Sequence, residues 1–390
     1  MGDKQKILFI TGTRADFGKL KPLINACDEE SIFDVYIFVT GMHVLPRYGG
    51  TEHEVLKCNY KNVYTYINQR HDDSQDIVLA NTIQGLGNYV SLKKPDMLVV
   101  HGDRVEALAG AIVGSLNNII VAHIEGGEVS GTIDESIRHS VSKLSHIHFV
   151  ANEEAKRRLI QMGELSDKIH DIGSPDIDVM TSSSLPSLEY VKKYYNIQFD
   201  EFALFIYHPV TTCLHDLLDN MREVLYALVE SELNYVMIYP NNDPGSNIII
   251  EELEMQRDNP RIKMYPAIRF ESFLILLKNS KFIIGNSSSG IREAPIYSIP
   301  TINIGTRQNK RFDHDMIIDV SESKEEILNA IRQVKNIKFK PSNHFGDGGS
   351  TGKFMNIIKS VKIWDTEIQK YFVDANILPA QEHKDSLKKK

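Results

Sequence analysis

The 390-residue chain has little cysteine, no long apolar run, no excess of basic residues and no low-complexity tract. Its three cysteines, Cys27, Cys58 and Cys213, are widely spaced and odd in number, which argues against a disulfide framework, and no zinc-ligand spacing joins them. No stretch approaches the ~18 consecutive apolar residues of a spanning helix, so no membrane association is expected. The apolar run after Lys4 and Lys6 covers only residues 7–10, too short for a signal-peptide core, and Lys6 stands where a myristoylation signal needs Ser or Thr. The expected address is the cytoplasm. With 44 Lys and Arg against 52 Asp and Glu, the formal net charge is −8, so the basic face that nucleic acid requires is missing and nucleic acid is not an expected partner. That balance is compatible with a local basic site for a small anion.

What is present is ordinary for a globular enzyme: 42% hydrophobic and 25% charged residues, on a chain too long for most single cores. Short apolar runs at 7–10, 35–39, 97–100, 119–122 and 147–150 have the composition of strands buried on both faces. Helical patterns at 16–29, 74–92, 104–116 and 134–144 lie between them. A second series places strands at 203–207, 235–239, 262–264, 282–284 and 301–304, separated by helical patterns at 214–230, 270–278 and 288–298. This βαβ repetition predicts parallel sheets with right-handed crossovers. The Ser/Pro-rich segment 181–187 divides the series and suits a linker whose Ser187 caps the next helix. The expected fold is α/β, with two Rossmann-like domains at 1–180 and 187–360 facing each other across a cleft. A helix at 365–373, headed by the only tryptophan, Trp364, is expected within 361–378 and returns to brace the first domain. Residues 379–390 are expected to be disordered.

The most informative stretch is His123-Ile124-Glu125-Gly126-Gly127-Glu128, with Asp134-Glu135-Ser136-Ile137-Arg138-His139 behind it. Two glycines break the chain after an apolar strand and leave carboxylates at the strand's end. Open parallel sheets hold ligands outside the carboxyl ends of their strands, and a cluster of acids there points to proton chemistry. A capping box would account for Asp134 but not for Glu125 and the glycines together. Asp103, in His101-Gly102-Asp103-Arg104, follows another strand and fits a helix N-cap equally well.

Thr11-Gly12-Thr13-Arg14-Ala15-Asp16-Phe17-Gly18-Lys19 enters a helix from a strand, where free N–H groups favour phosphate; an ordinary turn with a solvated arginine explains it as well. It is neither a dinucleotide fingerprint nor a P-loop, since the gap from Gly12 to Gly18 is one residue too long and Leu20 stands where Ser or Thr would hold magnesium. His208, in Tyr207-His208-Pro209-Val210-Thr211-Thr212, ends a strand of the second series, where a histidine is more often structural than catalytic. In Gly285-Asn286-Ser287-Ser288-Ser289-Gly290-Ile291-Arg292-Glu293, hydroxyl and N–H groups converge on an anion-sized spot, and Glu293 offers two acceptor oxygens to the hydroxyls of a ribose. His139, His146 and His148 lack the spacing of a ligand set, so no metal site is expected.

Together these segments, with Gly305-Thr306-Arg307-Gln308, resemble the UDP-N-acetylglucosamine 2-epimerase family over nearly the whole chain. Within it the chain resembles the hydrolysing branch of bacterial sialic-acid biosynthesis. Members of that branch carry Gly-Thr-Arg-Ala-Asp, His-Gly-Asp-Arg and Ile-Glu-Gly-Gly-Glu, found here at 12–16, 101–104 and 124–128. Non-hydrolysing members carry Gly-Thr-Arg-Pro-Glu and a Glu-Ala-Gly form. The resemblance implies two facing Rossmann-like domains of the glycosyltransferase-B type, with the catalytic carboxylates on the first and the nucleotide on the second. It also implies a homo-oligomer (a dimer or higher), no cofactor and no metal.

The implied reaction turns UDP-N-acetylglucosamine and water into UDP and N-acetylmannosamine. UDP is eliminated to give 2-acetamidoglucal, and water adds with inversion at C2. By matching position, Asp103, Glu125 and Asp134 are the catalytic carboxylates, without a decision on which removes the C2 proton. His208 is a donor near the diphosphate and sugar. Arg14 and Ser287, Ser288 and Ser289 contact the diphosphate, Glu293 holds the ribose, and Arg307 is a further nucleotide contact. Lys19 and Arg138 match family positions on the substrate side, as does Glu128. The alternatives are a non-hydrolysing epimerase, a hydrolysing enzyme for another acylated or GDP-linked amino sugar, and, from another class, a sugar-nucleotide sensor.

Overall fold

In a computed structural model, which describes residues 4–70, 73–308, 311–334 and 339–374, both series of apolar runs become parallel sheets. The first sheet contains β1 (Gln5–Thr11), β2 (Phe33–Val39), β3 (Val63–Thr65), β4 (Met97–His101), β5 (Ile120–Ile124), β6 (Ile147–Val150) and β7 (Ile169–Asp171), in the order β3-β2-β1-β4-β5-β6-β7. The second contains β8 (Ala203–Ile206), β9 (Tyr235–Ile238), β10 (Ile262–Tyr265), β11 (Ile283–Gly285), β12 (Thr301–Ile304) and β13 (Ile317–Val320), in the order β10-β9-β8-β11-β12-β13. Every pairing is parallel.

Helices α1 (Arg14–Asp28), α2 (Glu52–Leu56), α3 (Gln75–Lys93), α4 (Val105–Leu116), α5 (Ile133–Leu144), α6 (Glu153–Gln161) and α7 (Pro175–Met180) accompany the first sheet. The second is accompanied by α8 (Leu188–Tyr194), α9 (Leu217–Glu230), α10 (Ser246–Glu254), α11 (Phe270–Lys278) and α12 (Lys324–Val334), and α13 (Ser350–Ile358) and α14 (Val361–Trp364) follow. Ser187 caps α8 as expected, its hydroxyl accepting from the Tyr190 N–H.

Continuous apolar strands make sense because alternate side chains feed two cores. On β1, Ile7 and Phe9 pack with Leu20 and Ile24 of α1, while Leu8 and Ile10 pack with Leu86 of α3 and Ala111 of α4. On β8, Phe205 packs with Leu225 of α9 and Ile331 of α12, while Leu204 and Ile206 pack with Phe273 of α11 and Val191 of α8.

Three strands have no counterpart in the apolar runs: β3, β7 and β13. All are sheet edges, and each has partly solvated residues, so none has the continuous apolar composition of a central strand.

Two expected helices differ. Instead of one helix over 288–298 there are two short 3-10 turns, Ser288–Gly290 and Ala294–Tyr297. Pro295 has no N–H to continue a ladder, and Ser298 ends the second turn at φ +59°. The helix expected at 365–373 is absent from the described residues; the helical turn is α14, ending at Trp364 itself. The bracing comes from α13 and α14, whose Phe354, Met355, Ile358 and Ile363 join the core of the first sheet. Trp364 lies 6.0 Å from the Phe33 ring and donates its indole N–H to the Ile358 carbonyl at 2.8 Å. The expected disorder at 379–390 lies outside the described residues, among which no helix is long and apolar enough to cross a membrane.

Candidate active site

Strand order reverses once in each sheet, between β1 and β4 and between β8 and β11. The crevice at such a switch point is where open parallel sheets bind ligands. Here both switch points open onto one cleft. Residues after β1 (Thr13, Arg14), at the end of and after β4 (His101–Arg104) and after β5 (Glu125) line one wall, and residues after β8 (His208), β11 (Ser287–Ser289) and β12 (Arg307) line the other. Twelve of the thirteen residues matched from sequence line this cleft: Asp103, Glu125, Asp134, His208, Arg14, Lys19, Arg138, Ser287, Ser288, Ser289, Glu293 and Arg307. Glu128 does not; it is buried behind the wall, paired with Arg292 and Arg311. The walls touch at Gly131, whose N–H donates to the Arg307 carbonyl at 2.9 Å. A Cβ at that glycine would sit 2.2 Å from the Thr306 carbonyl oxygen.

The three acids are held differently. Glu125 leaves β5 at φ +64°, left-handed backbone that a non-glycine residue keeps only when its surroundings compel it. Its Oε1 accepts from the Ser174 hydroxyl at 2.6 Å and from Arg292 Nη2 at 2.5 Å, with Lys19 Nζ at 3.6 Å. His101 Nε2 lies 3.3 Å from Oε2. Burial alone would raise this carboxyl's pKa. Arg292, Lys19 and His101 more than reverse that and hold it well below the usual carboxylate range.

Asp103 is not the N-cap of α4, a place taken by Arg104; it pairs with Arg138 instead. Asp134 does not cap α5 either, because Thr132 does so and accepts from the Asp134 N–H. The Asp134 carboxylate is 3.1 Å from Arg307 on the opposite wall.

Lys19 and Arg138, matched to substrate-side positions, are already engaged with carboxylates. Lys19 Nζ lies 3.3 Å from Asp176, 3.4 Å from Glu293 and 3.6 Å from Glu125. Burial would depress its pKa, but Glu125 and Asp176 outweigh it and push the ammonium up to about 12. Glu293 has the opposite balance. Burial raises its carboxyl against the pull of Lys19, and its Oε2 is buried with no protein partner among the described residues.

Across the cleft, Asn286 locks the two strand ends together. Its side chain accepts from the His208 N–H at 2.7 Å and donates to the His208 carbonyl at 2.9 Å. His208 Nδ1 accepts from the Asn241 N–H at 3.1 Å, which puts the ring proton on Nε2. Burial, with Arg307 and Arg104 nearby, holds His208 well below its ordinary pKa, so the ring is a neutral donor. Ser287 caps the first 3-10 turn by accepting from the Ser289 N–H. With no α-helix there, the anion-binding capacity of Ser287–Ser289 rests on local N–H and hydroxyl groups rather than on a helix dipole.

Several residues without an assigned role from sequence belong to this constellation. Arg292, within the segment 285–293, is buried and reaches Glu125 and Glu128, and Arg311 also pairs with Glu128 at 3.0 Å. Arg104 crosses to Asn242 at 2.7 Å. Ser174 and Asp176 follow the short edge strand β7, which gave no periodic signal. An apolar recess at Pro266, Ala267, Ile268 and Phe273 extends the cleft in the second half, and no motif marks it. Among the described residues no group of three or more His, Cys, Asp and Glu is arranged to hold a metal ion. His146 and His148 are tied to Val121, Ile368 and Glu164.

A family profile described as UDP-N-acetylglucosamine 2-epimerase matches residues 25–359. Among curated proteins, "UDP-N-acetylglucosamine 2-epimerase" of Neisseria meningitidis serogroup B is 47% identical over 377 residues, 96% of this chain and 100% of the relative. "UDP-N,N'-diacetylbacillosamine 2-epimerase (hydrolyzing)" of Legionella pneumophila is 34% identical over 366 residues, 92% of this chain and 97% of the relative. Among solved structures, the UDP-GlcNAc 2-epimerase of Methanocaldococcus jannaschii in complex with UDP-GlcNAc and UDP superposes with a TM-score of 0.78 at 25% identity, covering 91% of this chain and 99% of that one.

Proposed function

The chain belongs to the UDP-N-acetylglucosamine 2-epimerase family, and we propose that it is a hydrolysing member, converting UDP-N-acetylglucosamine and water into UDP and N-acetylmannosamine for sialic-acid synthesis. The observation that carries this reading is the pairing of three carboxylates, Asp103, Glu125 and Asp134, with a cationic, serine-bearing wall across one cleft. Binding a diphosphate calls for the cations and N–H groups alone. The acids are what a reaction that moves protons at a sugar carbon requires. The word "hydrolyzing" in the name of the Legionella relative supports the choice within the family.

In this reading one carboxylate takes the weakly acidic C2 proton. The C2–H pair becomes the C1–C2 double bond, and the C1–O pair departs with UDP. His208, neutral with its proton on Nε2, donates to the leaving oxygen. Arg14, Arg307 and Ser287–Ser289 meet the diphosphate, and donors fixed beforehand stabilise the charge that develops there without reorganising. Glu293, with an unpartnered buried oxygen, takes the ribose hydroxyls. Water then adds its hydroxyl to C1, and a proton returns to C2 from the opposite face, which inverts that carbon. Lys19 and Arg138 hold the acids in place.

Incubation with UDP-N-acetylglucosamine in deuterated water, followed by NMR, tests the reading. Free N-acetylmannosamine with deuterium at C2, together with UDP, is the expected result. Deuterated UDP-N-acetylmannosamine would instead mean a non-hydrolysing enzyme. Turnover only of another acylated or GDP-linked sugar would change the substrate, and tight UDP binding without any turnover would mean a sensor.

A further inference from the structure

Ser174 lies outside the cleft lining, in the connection between β7 and α7, and is wholly buried. The chain there is pinned on both sides: the Ser174 N–H donates to the Phe345 carbonyl at 2.8 Å, and its carbonyl accepts from the Ser350 hydroxyl at 3.1 Å. Its own hydroxyl is 2.5 Å from Arg292 Nη2 and 2.6 Å from Glu125 Oε1. A guanidinium only donates, so Ser174 Oγ accepts from Arg292 and its single hydrogen points at Glu125. Arg292 Nη2 also donates directly to the same Glu125 oxygen. Lys19 Nζ, 3.6 Å away, adds a third positive or donating group on that side.

The two oxygens of Glu125 are therefore unequal. Oε1 is gripped by Ser174 and Arg292, while Oε2 faces the cleft side with His101 Nε2 at 3.3 Å. We propose that Ser174 is a positioning residue for the proposed reaction: by tying Oε1 of Glu125 it fixes the carboxylate plane and leaves Oε2 as the oxygen through which Glu125 handles its proton. The inference rests on the catalytic reading of the cleft. A proton transfer to or from carbon tolerates little misplacement, and an error of about 1 Å can cost ~100-fold in rate. A hydroxyl that substrate never touches can thus act on kcat while leaving substrate binding alone.

The test is steady-state release of UDP from UDP-N-acetylglucosamine by Ser174→Ala and by the near-isosteric Ser174→Cys, a weak donor, with thermal melting of both. The expected result is a fall in kcat of about 10- to 100-fold in each variant, with KM within about 2-fold of the unmodified chain. If Ser174→Ala does not fold, Ser174→Cys carries the comparison, because it leaves little cavity. A kcat retained within about 2-fold, or a loss that appears in KM alone, overturns the positioning role while the epimerase reading stands. No turnover by the unmodified chain would overturn both.

Discussion

Glu125 and the pair Asp103 and Asp134 share one wall of the cleft, yet the protein treats them in opposite ways. The Glu125 side chain is 6% exposed and is surrounded by Arg292, Lys19, His101 and Ser174. Asp103 and Asp134 are 25% and 23% exposed, and each has one arginine partner, Arg138 and Arg307. A buried carboxylate without partners would give up its charge, so the network around Glu125 is the condition for its ionisation. The other two carboxylates are partly exposed and lack such a network. The cleft thus combines one acid whose orientation and charge the fold sets with two whose single partners a ligand can recruit. Arg307 is the clearest case, because it bridges Asp134 and the Asn286 carbonyl, which it meets at 3.2 Å.

The severest way to break this contrast is Arg292→Ala. It leaves Glu125 and Glu128 buried with one strong partner fewer, and we expect a loss of about 3–5 kcal/mol in denaturant unfolding, the cost of orphaning a buried charge. A loss under about 1 kcal/mol would mean that the network does not hold Glu125.

Next come the acids themselves. Asp103→Asn and Asp134→Asn keep an amide oxygen for Arg138 and Arg307 and are expected to lose less stability than Glu125→Gln, while UDP release falls about 10²- to 10⁴-fold. Glu125→Gln should lose both activity and stability. Equal stability of all three variants would erase the distinction.

Stability against pH sharpens it further. The Glu125 carboxyl is held below its unfolded value of about 4.3, so its stabilising contribution is present above that pH and is lost as pH falls through the folded value. Acid unfolding curves of Glu125→Gln should therefore be flatter below about pH 4. Lys19 has the opposite sign. With its pKa raised from 10.5 to about 12, its contribution is complete below 10.5 and is lost as pH rises towards 12, a dependence that Lys19→Met should remove. The smallest effect belongs to Lys21 of α1 and Glu271 of α11, 2.8 Å apart and 35% exposed each. Lys21→Ala should cost no more than about 1 kcal/mol and show a strong salt dependence.

Residues that the chain marks twice, by type and by place at a strand's end, were legible in sequence. The apolar runs of β1, β4, β5, β8, β11 and β12 gave the sheets, and the polar turns after them gave Arg14, Asp103, Glu125, His208, Ser287–Ser289 and Arg307. What sequence missed has a common cause. The strands β3, β7 and β13 are sheet edges with partly solvated residues, so their hydrophobic signal is weak, and Ser174 and Asp176 ride on one of them. The 3-10 turns after Ser287 were hidden because the helical spacing of 288–298 outweighed the single missing N–H of Pro295. Arg292 was visible as a residue, but its role depends on two carboxylates more than 160 positions away, which no local pattern reports.

The central claim is that the cleft breaks the sugar C1–O bond by elimination, and the most direct test is turnover in ¹⁸O-enriched water with mass analysis of the UDP released. The account predicts UDP with no ¹⁸O, because the bridging oxygen leaves with the nucleotide and water meets only the sugar. UDP carrying one ¹⁸O on its terminal phosphate would mean attack at phosphorus, and would contradict the roles given to Asp103, Glu125 and Asp134.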